Sequence, residues 1–172
     1  MMKFDDQIDQ LLNSDNKTTE MLEKLIGKIL TIKVLSQRYK FVKNTNGIPL
    51  YRESLVTYPE ENLVVSHNFV LLYPKYIPTF LYYNMIWKKK GIGHLLNEHN
   101  VKTNRRITRN GFIDRNKLTN LFSEPVQISF QSKTVYIPFK AYNIYFEDYK
   151  EPGFMIIEYF NSDIFSRNQN SA

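Results

Sequence analysis

Seven consecutive residues, Phe154-Met155-Ile156-Ile157-Glu158-Tyr159-Phe160, have the composition of a buried β-strand with one carboxylate in the middle. An unpaired charge moved out of water costs several kcal/mol or forces the group to neutralise. Glu158 therefore constrains the fold: wherever this strand lies, something polar must face it. A matching oddity stands upstream, where Arg52 opens the strand-like run Tyr51 to Tyr58. A buried cation and a buried anion on separate strands make either a plain ion pair or the two ends of a dry pocket for a small polar molecule.

Composition narrows the background. One domain is expected for 172 residues, with a polar tail over 161–172, and 42% hydrophobic and 15% aromatic residues indicate a folded core. No apolar stretch is long enough to span a bilayer, and the acidic start Met-Met-Lys-Phe-Asp-Asp carries no apolar signal segment. Membrane association is therefore not expected. A cytoplasmic protein is, or one of the plastid stroma if the gene is organellar. The absence of cysteine excludes disulfides, thiolate metal sites and cysteine nucleophiles. The net charge of +6 is spread, with small clusters at Lys88-Lys89-Lys90 and Arg105-Arg106. Such a field attracts anions of any size.

The element pattern predicts an α+β fold. Phe4, Ile8, Leu11 and Leu12 have helical spacing, and Asn13 to Lys17 forms a loop. Thr18 or Thr19 is expected to cap a helix over Glu20 to Ile26 that ends at Gly27. Lys28 to Gln37 alternates as a strand, and a turn surrounds Asn46-Gly47. Tyr51 to Tyr58 and Leu63 to Tyr73 form a hairpin through Pro59-Glu60-Glu61-Asn62. Thr79 to Lys89 is predicted as a helix packing Phe80, Tyr83 and Trp87, with a short helix over Ile92 to Asn97. Val101 to Arg109 is a further strand, and Asp114 is expected to cap a helix reaching Phe122. Val126 to Phe130, Thr134 to Phe139, Tyr142 to Glu147 and Phe154 to Phe160 are the closing strands, and the tail from Asn161 should fray. Short connections favour antiparallel pairing. The expected architecture is a mainly antiparallel, meandering sheet of about six strands with helices packed on one side.

Several chemistries lack their residues. Gly91-Ile92-Gly93 has no third glycine and no preceding βαβ strand for dinucleotide binding. His94 and His99 lie five apart and His67 is in a strand, so no metal set forms and no metal is expected. There is no Gly-x-Ser-x-Gly elbow. Nor does an RNP motif or recognition helix support a nucleic-acid partner.

Four ordered segments carry a resemblance. They are Leu11-Leu12-Asn13-Ser14-Asp15-Asn16-Lys17-Thr18, then Arg52-Glu53 opening a strand before a hairpin. Lys90-Gly91-Ile92-Gly93-His94-Leu95-Leu96 follows, with Thr103-Asn104-Arg105-Arg106 after it, and last comes Ile157-Glu158-Tyr159-Phe160. Taken together, over Leu11 to Phe160, the chain resembles the chorismate pyruvate-lyase family and its lyase-like relatives. It departs from that pattern at His94, where arginine is usual, at Gly91, where proline is common, and at Lys140-Ala141, which replace an arginine pair. Leu118 to Phe139 is also longer than in the short bacterial enzymes.

The resemblance implies a lyase that eliminates pyruvate from chorismate to give 4-hydroxybenzoate for quinone or related aromatic biosynthesis, without cofactor. The alternative within the same fold is a non-catalytic module binding an aromatic carboxylate. The enzyme is the expected function, because Arg52 and Glu158 are both kept and the chain shows no DNA-binding segment. A monomer is expected, with chorismate and 4-hydroxybenzoate as its partners. By resemblance, Arg52 and Glu158 are the catalytic pair. Arg52 holds the ring carboxylate with its planar fork and Glu158 faces the ring hydroxyl. Backbone amides near Lys17 and Ile92 add donors, Gly91 and Gly93 permit close approach of the main chain, and the loops Asn13 to Lys17 and Gly91 to His94 act as flaps. Glu53 is expected to turn to the opposite face, exposed or paired with a surface lysine. For Lys17, Arg105 and Arg106 a solvated surface role stands beside a substrate role, and Tyr142 reads first as core.

Overall fold

The computed structural model describes residues 4–41, 47–88 and 91–167. Asn44 to Asn46 of the expected turn, Lys89 and Lys90 of the basic cluster, and the tail after Arg167 lie outside the described residues.

Two helices begin the chain, α1 (Phe4–Asn13) and α2 (Thr18–Ile26). Helical spacing lets α1 bury Ile8, Leu11 and Leu12 together. Gly27 ends α2 in the left-handed region at φ 70°, where its N–H reaches Glu23 O at 2.8 Å. The expected threonine cap is not used. The helix starts earlier, Lys17 takes the cap position without a side-chain bond, and Thr18 turns into the interior.

Six strands form one antiparallel sheet: β1 (Thr31–Tyr39), β2 (Leu50–Tyr58), β3 (Leu63–Leu72), β4 (Thr103–Asp114), β5 (Tyr136–Phe146) and β6 (Phe154–Phe160). Their order, β1-β2-β3-β6-β5-β4, is that of two meanders joined where β3 pairs with β6. The chain crosses from the centre to the far edge through α3 (Thr79–Lys88) and α4 (Ile92–Glu98), and a short α5 (Asp163–Arg167) follows β6. The α+β class, the antiparallel meander and the single-sided helix layer agree with expectation. The strands β2, β3 and β6 are buried along nearly their whole length, as central strands covered on both faces should be.

On the helix side the core divides in two. Leu81 and Met85 of α3 and Leu95 and Leu96 of α4 pack on Leu50, Val70 and Ile156. Residues of α1, α2 and α5 pack on Val56, Tyr58 and Phe160. Arg52 and Ser54 lie between Leu50 and Val56 on β2, and Glu158 lies between Ile156 and Phe160 on β6. The polar anomalies thus fall in the seam between two apolar clusters. Tyr51, Phe69, Ile157 and Tyr159 form the opposite face under the irregular segment 115–135.

That segment departs from expectation. Asp114 does accept from Asn116 N (2.8 Å), but only a 3₁₀ turn, Arg115–Lys117, follows. The Asn120 side chain accepts from the backbone N–H of Phe122 (2.8 Å) and Glu124 (3.1 Å), offering the backbone an alternative to a helix, and Pro125 follows. Val126 to Phe130 is loop rather than strand, held by burial of Phe130. Thr134 to Phe139 and Tyr142 to Glu147 are one strand, β5, running unbroken through Lys140. In α3 the packed residues are Leu81 and Met85, while Phe80, Tyr83 and Trp87 face outward, Trp87 at 80% exposure. The tail does not fray at Asn161, because Ile164 and Phe165 are buried against α1 and α2.

Gly153 closes the turn from β5 to β6, donating to Ile144 O (2.9 Å) and accepting from Tyr73 N (2.9 Å). A Cβ there would lie 2.4 Å from Ile77 Cγ2, 2.6 Å from Phe146 Cε2 and 2.7 Å from the backbone oxygen of Tyr76. Gly153→Ala is expected to cost about 1–3 kcal/mol by overpacking. In a thermal melt this is a fall of about 3–10 °C; an unchanged melting temperature would contradict the packing.

Candidate functional site

Register places the polar residues in two adjacent rows. Arg52 pairs with Val70, Val70 with Ile156, and Ile156 with Tyr142. Ser54 pairs with Asn68, Asn68 with Glu158, and Glu158 with Lys140. Residues two apart on a strand share a face, so both rows look toward the helices. Because β3 lies between β2 and β6, Arg52 and Glu158 are not neighbours in the sheet. With strands about 4.8 Å apart and a rise of about 3.4 Å per residue, their Cα atoms are roughly 12 Å apart. The cation that faces Glu158 from the next strand is Lys140, not Arg52.

Above these rows the seam opens into a cavity of about 450 Å³ between the sheet, α2 and α4. Lys17, Arg52, Ile92, Gly93 and Glu158 all line it. Its floor carries Val70, Ile144 and Ile156, a flat apolar surface suited to a ring. Both α2 and α4 begin at its wall without a side-chain cap, so first-turn N–H groups are available to an anion. An added Cβ on Gly91 would come within 2.8 Å of Ile32 Cγ1, which explains the absence of a side chain there. Gly93 meets nothing within 4 Å, so its backbone is open. Gly91 to His94 is not a loop but the cap and first turn of α4.

Lys17 sits at the rim with Nζ 3.5 Å from Glu20. His94 is at the mouth, 70% exposed. Arg105 also lines the cavity; its guanidinium lies 5.5 Å from the Tyr142 ring centroid and donates to Asn16 O at 3.2 Å. Arg106 is turned away over Tyr145. Tyr142 is both core and site, buried yet part of the wall. Glu53 does lie on the opposite face, but its partner is buried His67 (2.9 Å) rather than a surface lysine.

Two functional candidates were missed by sequence reasoning. Asn68 interrupts the apolar run of β3 as Glu158 interrupts β6, and the same anomaly could have found it. Lys140 is only 1% exposed, and nothing local in the sequence signals that.

Charge in the cavity is shaped mainly by loss of water. Burial lowers the Arg52 pKa to about 10, leaving the guanidinium charged at neutral pH, and its Nη1 reaches Met85 Sδ at 3.4 Å. Burial raises the Glu158 pKa, opposed first by the charge of Lys140 and then by Thr18, Arg105 and Tyr142. Glu158 Oε2, Asn68 Oδ1 and Thr18 Oγ1 have no hydrogen-bond partner of ordinary geometry among the described residues. Buried acceptors of this kind are expected to be satisfied. A ligand donating a hydroxyl proton here would complete them. Among the described residues no group of three or more His, Asp or Glu could hold a metal ion, and no helix is long and apolar enough to cross a membrane.

No protein-family profile and no curated protein matches the chain in sequence. Two solved structures are similar to it in outline. One is described as a regulator from Escherichia coli CFT073, 10% identical with a TM-score of 0.47, and the match covers 76% of this chain and 95% of that one. The other is the ligand-binding domain of a transcriptional regulator assigned to the GntR family, from Bordetella bronchiseptica. It is 10% identical with a TM-score of 0.45, and the match covers 76% of this chain and 83% of that one.

Proposed function

We propose that this cavity binds a planar aromatic acid bearing a hydroxyl opposite its carboxylate, and that the reaction it serves is elimination of pyruvate from chorismate to give 4-hydroxybenzoate. The observation that carries the reading is the placement of Arg52 and Glu158, a buried cation and a buried anion, on the wall of one cavity with an apolar floor between them. Their Cα separation of roughly 12 Å, shortened by two long side chains, matches one ring with a substituent at each end.

In this reading Arg52 takes the ring carboxylate in a charge-assisted, bidentate contact. Glu158 accepts a hydrogen bond from the ring hydroxyl at the other end, beside the free acceptor of Asn68, and lies within reach of the C–H proton on the carbon that bears it. Lys17, Arg105 and the first-turn amides of α2 and α4 serve the second carboxylate, that of the enolpyruvyl group. The ring C–O bond to that group breaks as the neighbouring ring carbon, which bears the hydroxyl, loses its proton. Glu158 takes that ring C–H proton and returns it to the methylene carbon of the leaving enolpyruvate, which gives pyruvate. Aromatisation drives the step, so the protein supplies orientation, proton transfer and exclusion of water.

Incubation of the purified protein with chorismate, followed by chromatography, tests this. Equal amounts of 4-hydroxybenzoate and pyruvate above the uncatalysed rate are expected. Tight 4-hydroxybenzoate binding without product would leave an aromatic-acid binding module; neither binding nor product would remove both readings.

A further inference from the structure

We propose that Lys140 is a positioning residue for this site: from the strand beside Glu158 it keeps that carboxyl anionic inside the cavity, and the same ammonium fixes the 13–17 loop at the cavity rim. The inference rests on the reading of Glu158 as the carboxylate that receives the ligand hydroxyl.

Lys140 is among the largest fully buried side chains, and a buried lysine requires compensation. Its Nζ donates to Leu11 O at 2.9 Å and to Ser14 O at 3.2 Å. Both carbonyls belong to the end of α1 and the residue just after it, where backbone oxygens lack helical partners and positive charge is favoured. The loop so held leads directly to Lys17 and Thr18 on the cavity wall. Glu158 is the Cα partner of Lys140 on β6, and cross-strand partners have Cβ atoms about 4.5–5.5 Å apart.

The surroundings supply few substitutes. From β5, Tyr142 faces Glu158, with its ring 5.5 Å from Lys140 Nζ. Arg105 acts from β4, Thr18 from α2 and Asn68 from β3, while Arg52 and Ser54 share the cavity from β2. Asp15 acts on Lys140 from the loop. Burial drives both partners toward neutrality, raising Glu158 and lowering Lys140, and each is restrained first by the charge of the other. Without the ammonium, Glu158 shifts further toward the neutral acid, and the site presents less of an acceptor-only carboxylate to a hydroxyl.

Carbon-13 NMR of labelled glutamate side chains, with the Glu158 resonance assigned by its loss in Glu158→Gln, tests this in the ligand-free protein. Lys140→Met is expected to raise the Glu158 titration midpoint by about one pH unit or more, and Lys140→Arg to restore it. Equal midpoints in the wild type and Lys140→Met overturn the proposal. If Lys140→Met does not fold, the ammonium is followed instead: Glu158→Gln is expected to lower the Lys140 midpoint, and no change overturns the proposal. Calorimetry with 4-hydroxybenzoate on the wild type separates the two readings. Absence of binding there removes the ligand assignment, whereas the titrations judge the Lys140 coupling by itself.

Discussion

Arg52→Ala is expected to weaken 4-hydroxybenzoate binding by about 2–4 kcal/mol, roughly 30- to 1,000-fold in Kd, with the protein still folded. Arg52 is 2% exposed, and its Nη1 lies 3.4 Å from Met85 Sδ of α3. Burial disfavours the charge and lowers its folded pKa to about 10. For a cation with a depressed pKa, stability rises with pH only above the folded value, about 10, up to the ordinary arginine range. At neutral pH the guanidinium is charged, and an incoming carboxylate would add a charge-assisted contact inside the cavity. Calorimetric titration at fixed salt checks it, with Arg52→Lys as the control: a point charge keeps the sign but loses the fork, so intermediate affinity is expected. The ligand-induced rise in melting temperature should shrink in the same order. Wild-type affinity in Arg52→Ala would remove Arg52 from the site.

The elements legible in the sequence were those with strong local punctuation. Pro59 to Asn62 set the β2–β3 hairpin, Gly27 ended α2, and Pro152-Gly153 preceded a strand with the expected bounds. Misreadings arose where a residue's environment is non-local. Lys140 looked like a break between two strands because lysine is rarely buried; the carbonyls that hold it come from about 130 residues upstream. In α3 apolar residues cover every side, so periodicity could not choose between the Leu81 and Trp87 faces. The candidate site was legible as residue types but not as geometry. Glu158 and Arg52 were singled out by their cost in apolar strands, yet which strands are adjacent depends on topology. With β3 between them, the pair marks two ends of a cavity rather than a neighbouring-strand bridge.

Glu158→Gln is expected to lower turnover of chorismate by roughly 10²–10⁴, the range for loss of one acid–base group, while leaving 4-hydroxybenzoate binding within about tenfold. Glutamine keeps the size and one acceptor of the carboxyl, so the ring still has its place, but it cannot take a proton. Stability gives an independent check. Burial raises the Glu158 pKa above its usual 4.5, so between those two values the folded state binds more protons than the unfolded state. The favourable contribution of the neutral acid is then fully present below about pH 4.5 and is lost as pH rises through the folded pKa. Melting temperatures from about pH 4 to pH 8 should show this decline in the wild type, and Glu158→Gln should lack that component of it. The two readouts separate holding from chemistry. A variant that loses the pH-dependent component but turns over normally would make Glu158 a structural acid. One that loses turnover while still binding would make it the group that moves the proton.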